Sequence, residues 1–454
     1  MRLLEDIRIE RMLTLALFGV ALAVRLALFA TEMGDQRHGS AEIYGSTALG
    51  FYNDGELTFR EDEILHIREV PDNRSGDYRK FFVAGDRTIF TEFLPGPAVV
   101  LGILWKIVPW YTFAPYLILQ IVLEAALIAW FYWVVSRYQR LLALLTALVM
   151  VVNIATIKRT LMMGYDFWPQ FSVLVIFLGS LQLLREGRGA GRHVVLGVII
   201  GLTFWFRNIT TLLPFFLCGV VILTLKLRRY HRQRYALMRA AALMVPIALS
   251  LVLVSVYRHE VTGSYRPTRS TFWHTFFAGV GQFSNPYGVE NRDASVWELG
   301  KRLNPGLAQY ELGQMYRMPD SPYEQTLAQE ARNFIREQPG LFLRNTIYRV
   351  GIMISPLLYQ SGDLVPARLA GMLVPLGYLM VPLWLLGMFA LYKEQKLIFL
   401  VAATIYGYFF LTFGWFYVVG RVILPFLFIS VLVYLNGVAW IWHRIAGAEV
   451  DDRS

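Results

Sequence analysis

At 454 residues, 56% of them hydrophobic and only 17% charged, the chain is too apolar for a soluble enzyme, which runs at about 45–50% apolar and about 25% charged residues. The net charge of +10 would suggest nucleic acid in a soluble chain, but the Lys and Arg residues sit between apolar runs and report topology, so no nucleic-acid partner is expected. The single cysteine, Cys218 within an apolar run, excludes an intrachain disulfide and a cysteine-built metal centre.

Several runs reach or approach the roughly 18 to 20 apolar residues that cross a bilayer. They are too continuous for barrel strands, so the expected class is an all-α polytopic membrane protein. The basic segment 1–11 precedes a first span at 12–30, read as uncleaved. Arg25 lies within that span, close enough to its far end to extend towards the headgroups. A long polar loop, 31–97, follows. The piece 98–108, bracketed by Pro95, Pro97 and Pro109, reads as a partial or re-entrant helix.

Further spans are expected at 113–135, 141–157, 167–184, 194–206, 209–226 and 240–257. Arg137, Arg140, Arg185, Arg188, Arg192 and the basic cluster 226–234 mark the cytoplasmic side. A second long outer loop, 258–340, contains a predicted helix from Tyr323 to Gln338. Glu324, Glu330 and Arg332 fall on its polar positions, and Pro339-Gly340 stops it. Residues 341–360 read either as an interfacial helix or as a span, and the last spans are 368–391, 397–413 and 421–441. The sum is roughly ten spans, up to about twelve if both doubtful pieces cross, with both termini cytoplasmic. The chain divides into a module at 1–257, the outer loop 258–340 and C-terminal spans at 341–454. No inverted repeat marks it as a transporter.

The ionisable residues at outer span edges are the candidates for chemistry. Asp35 follows span one, where a carboxylate can act as general base on a hydroxyl brought to the interface, and Glu42 lies seven residues on. Asp54, Glu56, Glu61, Asp62 and Glu63 read as a solvated run. Lys158, Arg159 and Asp166 crowd the second outer turn, where two cations suit a phosphate and a carboxylate can steer a hydroxyl. Arg207, Arg258 and Arg421 also sit at outer edges, against the usual charge bias; a shared lipid phosphate or simple snorkelling accounts for each. His259, Glu260 and His274 have no convergent ligand spacing, so no metal site is assigned. The outer-loop carboxylates offer ligands for a divalent cation without requiring one.

The order of these pieces resembles the membrane glycosyltransferases of the GT-C fold, most closely the protein O-mannosyltransferases and the aminoarabinose transferase that modifies lipid A. Arg25 and then Asp35 open the series. Tyr44, Ala48 and Asn53-Asp54-Gly55 follow, then Pro95-Gly96-Pro97, Asp166 and Phe206-Arg207-Asn208. Next come Tyr257 to Gly263, Gly281 to Gly288, Tyr323-Glu324 and Gly420-Arg421 to Pro425. In relatives the first-loop acid is often an Asp-Glu pair or an Asp four residues before the Tyr. Ser40 stands at that second position here, so Asp35 and Glu42 both remain candidates for the acid.

The resemblance implies transfer of a sugar from a polyprenyl-phosphate carrier to a hydroxyl acceptor, with inversion, at the outer face of a bacterial inner membrane. It implies Asp35 as the preferred base and Asp166 as the group that orients the acceptor. Arg207, Arg421, Lys158, Arg159 and Arg258 would bind the donor phosphate, and Trp273, Phe276 and Tyr287 would either stack on sugar faces or pack a core. Two rivals share the carrier: a polymerase or ligase of lipid-linked glycans, and a flippase. The flippase would want charges at span centres and discontinuous helices.

Overall fold

Backbone in a bilayer has no water to satisfy it, so apolar runs of this length must close their hydrogen bonds within the chain. The computed structural model describes residues 2–32, 39–57, 94–108, 112–163, 167–186, 190–219, 233–262, 264–267, 271–310, 321–355, 367–418 and 420–446. Among these the chain is helical, with no strand. The helices are α1 (Arg2–Glu32), α2 (Gly39–Asp54), α3 (Gly96–Ile107), α4 (Ala114–Val135), α5 (Arg140–Val151), α6 (Ile154–Thr160), α7 (Phe167–Glu186) and α8 (Ala190–Thr203). A further helix is described over 213–219. Then come α9 (Gln233–Thr262), α10 (Phe272–Val280), α11 (Asp293–Leu303), α12 (Pro322–Glu337), α13 (Pro339–Ile354), α14 (Ala367–Glu394), α15 (Lys396–Phe413), α16 (Gly420–Ile423) and α17 (Leu427–Ile445).

Seven helices among the described residues are long and apolar enough to cross a membrane: α1, α4, α7, α9, α14, α15 and the run Leu424–Ile445 that contains α17. The α5–α6 pair makes an eighth if it counts as one span. The chain is therefore an all-α polytopic membrane protein, as its composition requires.

One expected span is broken, the partial helix expected at 98–108 is present, and the run 341–360 is helical as far as Ile354. The run read as one span at 141–157 is broken at Val152 and Asn153, and α5 and α6 meet at 58°. The cause is local: the Asn153 side chain accepts the Thr156 backbone N–H at 3.0 Å, so an N-cap stands in the middle of an apolar run. Helix α3 has 12 residues, a length of about 18 Å against a hydrocarbon core of about 30 Å. Its N-terminus is tied to the end of α8, where the Gly96 N–H donates to the Trp205 carbonyl at 2.8 Å. A Cβ at Gly96 would lie 2.6 Å from that oxygen, so only glycine allows the approach. Of the doubtful run 341–360, α13 covers residues up to Ile354, whose carbonyl accepts the Tyr434 hydroxyl of α17.

Lipid gives helices no hydrophobic reason to associate, so small residues that let backbones touch decide the pairing. Gly197 and Gly201 of α8 face the Leu243 and Pro246 carbonyls of α9. Gly387 of α14 faces the Val433 carbonyl of α17, and Gly437 of α17 faces the Leu383 carbonyl of α14. The contact is reciprocal, and neither helix can move past the other without a clash. In the second long loop, α10, α11 and α12 close a separate small core around Phe276, Phe277, Val296, Tyr323 and Phe334.

Candidate functional site

The end of α1, the starts of α4 and α7 and the turn after α8 meet at one end of the bundle. An aromatic cluster fills the junction: Tyr44 of α2, Trp105 of α3, Tyr116 of α4, Met163, Trp168 of α7 and Phe206. Trp168 and Phe206 stack with centroids 3.6 Å apart, and the Trp168 indole N–H donates to the Tyr116 hydroxyl at 2.6 Å. Helices α2 and α3 pack against each other at this end.

Below the cluster, α4 carries a polar row. Tyr116, Gln120 and Glu124 are spaced four residues apart, so they share one helix face, and all three are fully buried. Glu124 lies about 15 Å along the axis from the start of α4. Its Oε2 accepts from Arg25 Nε at 2.5 Å and from the Thr160 hydroxyl at 2.6 Å, and its Oε1 accepts from the Gln170 amide at 3.4 Å. Arg25 is fully buried too. Its Nη1 donates to the Ala21 and Val151 carbonyls at 3.2 and 3.3 Å, and its Nη2 to the Met150 carbonyl at 3.2 Å. Met150 and Val151 are the last residues of α5, whose carbonyls the helix break leaves without their usual partners. Gln120, with its amide nitrogen facing the carbonyls, donates to Thr160 O at 2.8 Å and Met162 O at 3.3 Å.

Arg25 therefore does not extend to the headgroups. The expectation failed because its counter-charge sits 99 residues away on another helix. Charges inside a span are rare and face the bundle interior when present. The sequence signal for this network was Gln120 and Glu124 one turn apart within an otherwise apolar span.

A second polar knot joins the α10–α12 core to the connection after α15. Arg349 of α13 is 2% exposed. It donates to Gly279 O at 2.6 Å, Trp415 O at 3.0 Å and Gln282 Oε1 at 3.3 Å. Gln282 in turn pairs through both ends of its amide with the Val418 backbone. Segment 415–418, which leads to α16, is thus held from two sides. Gly279 packs directly on the Phe416 carbonyl, and a Cβ there would fall well inside its van der Waals shell. Gly279→Ala is expected to destabilise by about 1–3 kcal/mol and to lower the melting temperature of the purified protein, whereas Gly340→Ala, with open space around it, is expected to leave it unchanged.

Glu324 was expected on the polar face of its helix, but it is buried. Its carboxylate accepts the backbone N–H groups of Trp273 and His274 at 2.8 and 3.0 Å, capping the N-terminus of α10 from 50 residues away. Burial outweighs those donors and pushes its carboxyl up to about 7. His274 lies between the Tyr323 hydroxyl (Nδ1, 2.5 Å) and Asp293 (Nε2, 3.1 Å). Tyr323 is the fully buried end of this row and Asp293 the exposed one, so no reactant reaches the hydroxyl and the row serves the core.

No protein-family model and no curated protein matches the chain. Among solved structures it is similar to ArnT from Cupriavidus metallidurans, determined bound to undecaprenyl phosphate. The alignment has 13% identity, covers 99% of this chain and 81% of that one, and gives a TM-score of 0.35.

Of the residues singled out from the sequence, Asp35 and Asp166 lie outside the described residues. Glu42 is on α2, two residues before Tyr44. Arg207 directly follows Phe206 of the aromatic cluster. Lys158 is exposed and Arg159 half-buried on α6, whose Ile157 packs on Ile121 of α4. Arg258 is buried, next to Tyr257, whose ring lies 5.9 Å from Trp205. Arg421 is on α16, and the 3-10 turn after it packs on α7. Among the described residues, α2 with Glu42 and the turn before Arg207 thus meet at the aromatic cluster, and α6 with Lys158 and Arg159 packs beside it through Ile157 and Leu161. Of the three sugar-stacking candidates, Phe276 is core, while Trp273 and Tyr287 are half-buried. Among the described residues no group of three His, Cys, Asp or Glu side chains stands ready for a metal ion.

Proposed function

We propose that the protein is a GT-C-type membrane glycosyltransferase that moves a sugar from a polyprenyl-phosphate carrier to a hydroxyl acceptor. The reaction would take place at the extracytoplasmic face of a bacterial inner membrane, with both termini in the cytoplasm. The observation that supports this reading is that α2, which carries Glu42, and the turn at Phe206, next to Arg207, pack in one aromatic cluster, with α6, which carries Lys158 and Arg159, in an adjoining cluster that shares Phe29 with it. A lipid-linked donor enters from the bilayer, so a transferase for it is built from spans and works at their ends.

As the sugar–phosphate bond breaks, negative charge grows on the departing phosphate. Cations already in place stabilise that charge more than they stabilise the ground state. Arg207, Arg421, Arg258, Lys158 and Arg159 are the groups proposed for this role, with arginine able to grip two phosphate oxygens at once. Asp35 is proposed to take the proton from the acceptor hydroxyl while that oxygen attacks the sugar carbon from the opposite side, and Asp166 to hold the acceptor. Glu42 is the substitute base.

The test is transfer from a radiolabelled polyprenyl-phosphate sugar pool in membranes, comparing wild type with Asp35→Asn at matched expression. Transfer is expected to fall by at least a hundredfold with carrier binding retained. Full activity in the variant moves the base to Glu42 or Asp166. Product analysis separates a single-sugar transferase from a polymerase or ligase.

A flippase is the second reading, favoured by the charged pair Arg25–Glu124 inside the bundle and by the broken helix beside it. Against it, all three side-chain nitrogens of Arg25 and both oxygens of Glu124 already bond protein groups. Carrier-dependent translocation with no bond formed would put the flippase ahead.

A further inference from the structure

We infer that Arg25, Gln120 and Glu124 form a positioning frame for α6, fixing the short helix that presents Lys158 and Arg159 at the donor end of the bundle. The inference rests on the transferase reading for what the two cations bind, and on geometry alone for the frame. A helix of seven residues cannot hold its own shape, since isolated helices shorter than about 12–15 residues are marginal even in favourable sequences. Something outside α6 must set where it points.

The network ties both of its ends. At the N-terminal side, Arg25 bonds the Met150 and Val151 carbonyls at the break. At the C-terminal side, Glu124 takes the Thr160 hydroxyl and Gln120 takes the carbonyls of Thr160 and Met162. One ion pair, resting on α1 and α4, thereby spans the whole of α6. None of the three frame residues reaches the surface, so each acts through α6 and none touches substrate.

A merely structural ion pair would be replaceable. Exchanging both members of a buried pair for apolar side chains is often neutral for stability, whereas removing one is not. The double variant Arg25→Met with Glu124→Met is therefore expected to melt above Glu124→Met alone and yet to release α6. A spin label at Lys158→Cys, in a Cys218→Ser background, reads this directly. It is expected to be ordered in the parent and mobile in the double variant. An equally ordered label in both overturns the frame.

Binding of undecaprenyl phosphate to the purified full chain is the second readout. Affinity is expected to drop at least tenfold in the double variant. Adding Lys158→Ala is expected to weaken the parent but to cause no further loss in the double variant, the non-additivity of groups that act as one. Parent-level affinity, or additive losses, overturns the positioning role. Gln120→Met, which removes two hydrogen bonds and no charge, is expected to give the same changes at smaller size, and a normal label with normal affinity in that variant counts against the frame. If the parent binds no undecaprenyl phosphate, the carrier reading falls, and the spin label alone then decides the frame.

Discussion

Glu124→Leu by itself is expected to destabilise the protein by roughly 3–5 kcal/mol, because it strands a buried guanidinium with no counter-charge. The reciprocal change, Arg25→Leu, is expected to cost less. A stranded carboxylate can take up a proton and become neutral, while a guanidinium has no such escape. The order of the two variants is therefore a sharper test than either value. Cys218 is the sole thiol in the chain and is buried, so its exposure to a thiol-reactive dye during heating reports unfolding without engineered labels. Equal melting temperatures for the two variants would mean that the pair is not held in a dry interior. By contrast the surface pair Lys301–Glu298, at 2.5 Å and partly exposed on both sides, is expected to contribute no more than about 1 kcal/mol.

The second large effect is a dependence on pH that traces to Glu324. Its carboxyl rises from the ordinary 4.5 to about 7 in the fold, chiefly because burial penalises the charge, and despite two backbone N–H donors. Between those values the unfolded chain has released the proton and the folded chain has kept it. Ionisation then favours unfolding, so stability should fall as pH rises from about 4.5 and level off above about 7, by about 3 kcal/mol in all at 1.36 kcal/mol per pH unit. Glu324→Gln is expected to remove that slope while leaving His274, Tyr323 and Asp293 in place. Melting curves at pH 5, 6, 7 and 8 for both proteins check it. An unchanged slope in the variant would assign the effect to another group.

Spans were legible because a long apolar run has few alternatives, and the first, second, fourth, seventh and last three expected spans fall on helices of crossing length. The break between α5 and α6 was hidden because Val152 and Asn153 interrupt the hydropathy by a single polar residue, and only the capping chemistry of Asn153 betrays it. Partners distant in sequence were beyond reach. Arg25 and Glu324 were each placed at a surface because neither had a neighbour in sequence to hold it inside. Their actual partners are 99 and about 50 residues away and became visible only with the fold. Phe206 and Trp168 illustrate the middle ground. Phe206 was in view beside Arg207 and Trp168 was not singled out, and no periodicity states that the two stack.

The Arg25–Glu124 pair also sets a schedule for biogenesis. Helix α1 enters the bilayer carrying an arginine whose partner has not been made. At about 5–20 residues per second, the 99 residues between them take about 5–20 s to synthesise. For that interval the nascent chain holds an unneutralised cation in or beside lipid, so the first helix must wait at the insertion machinery, lean its arginine towards the headgroups, or be shielded by a chaperone. Only the arrival of α4 releases it into the bundle.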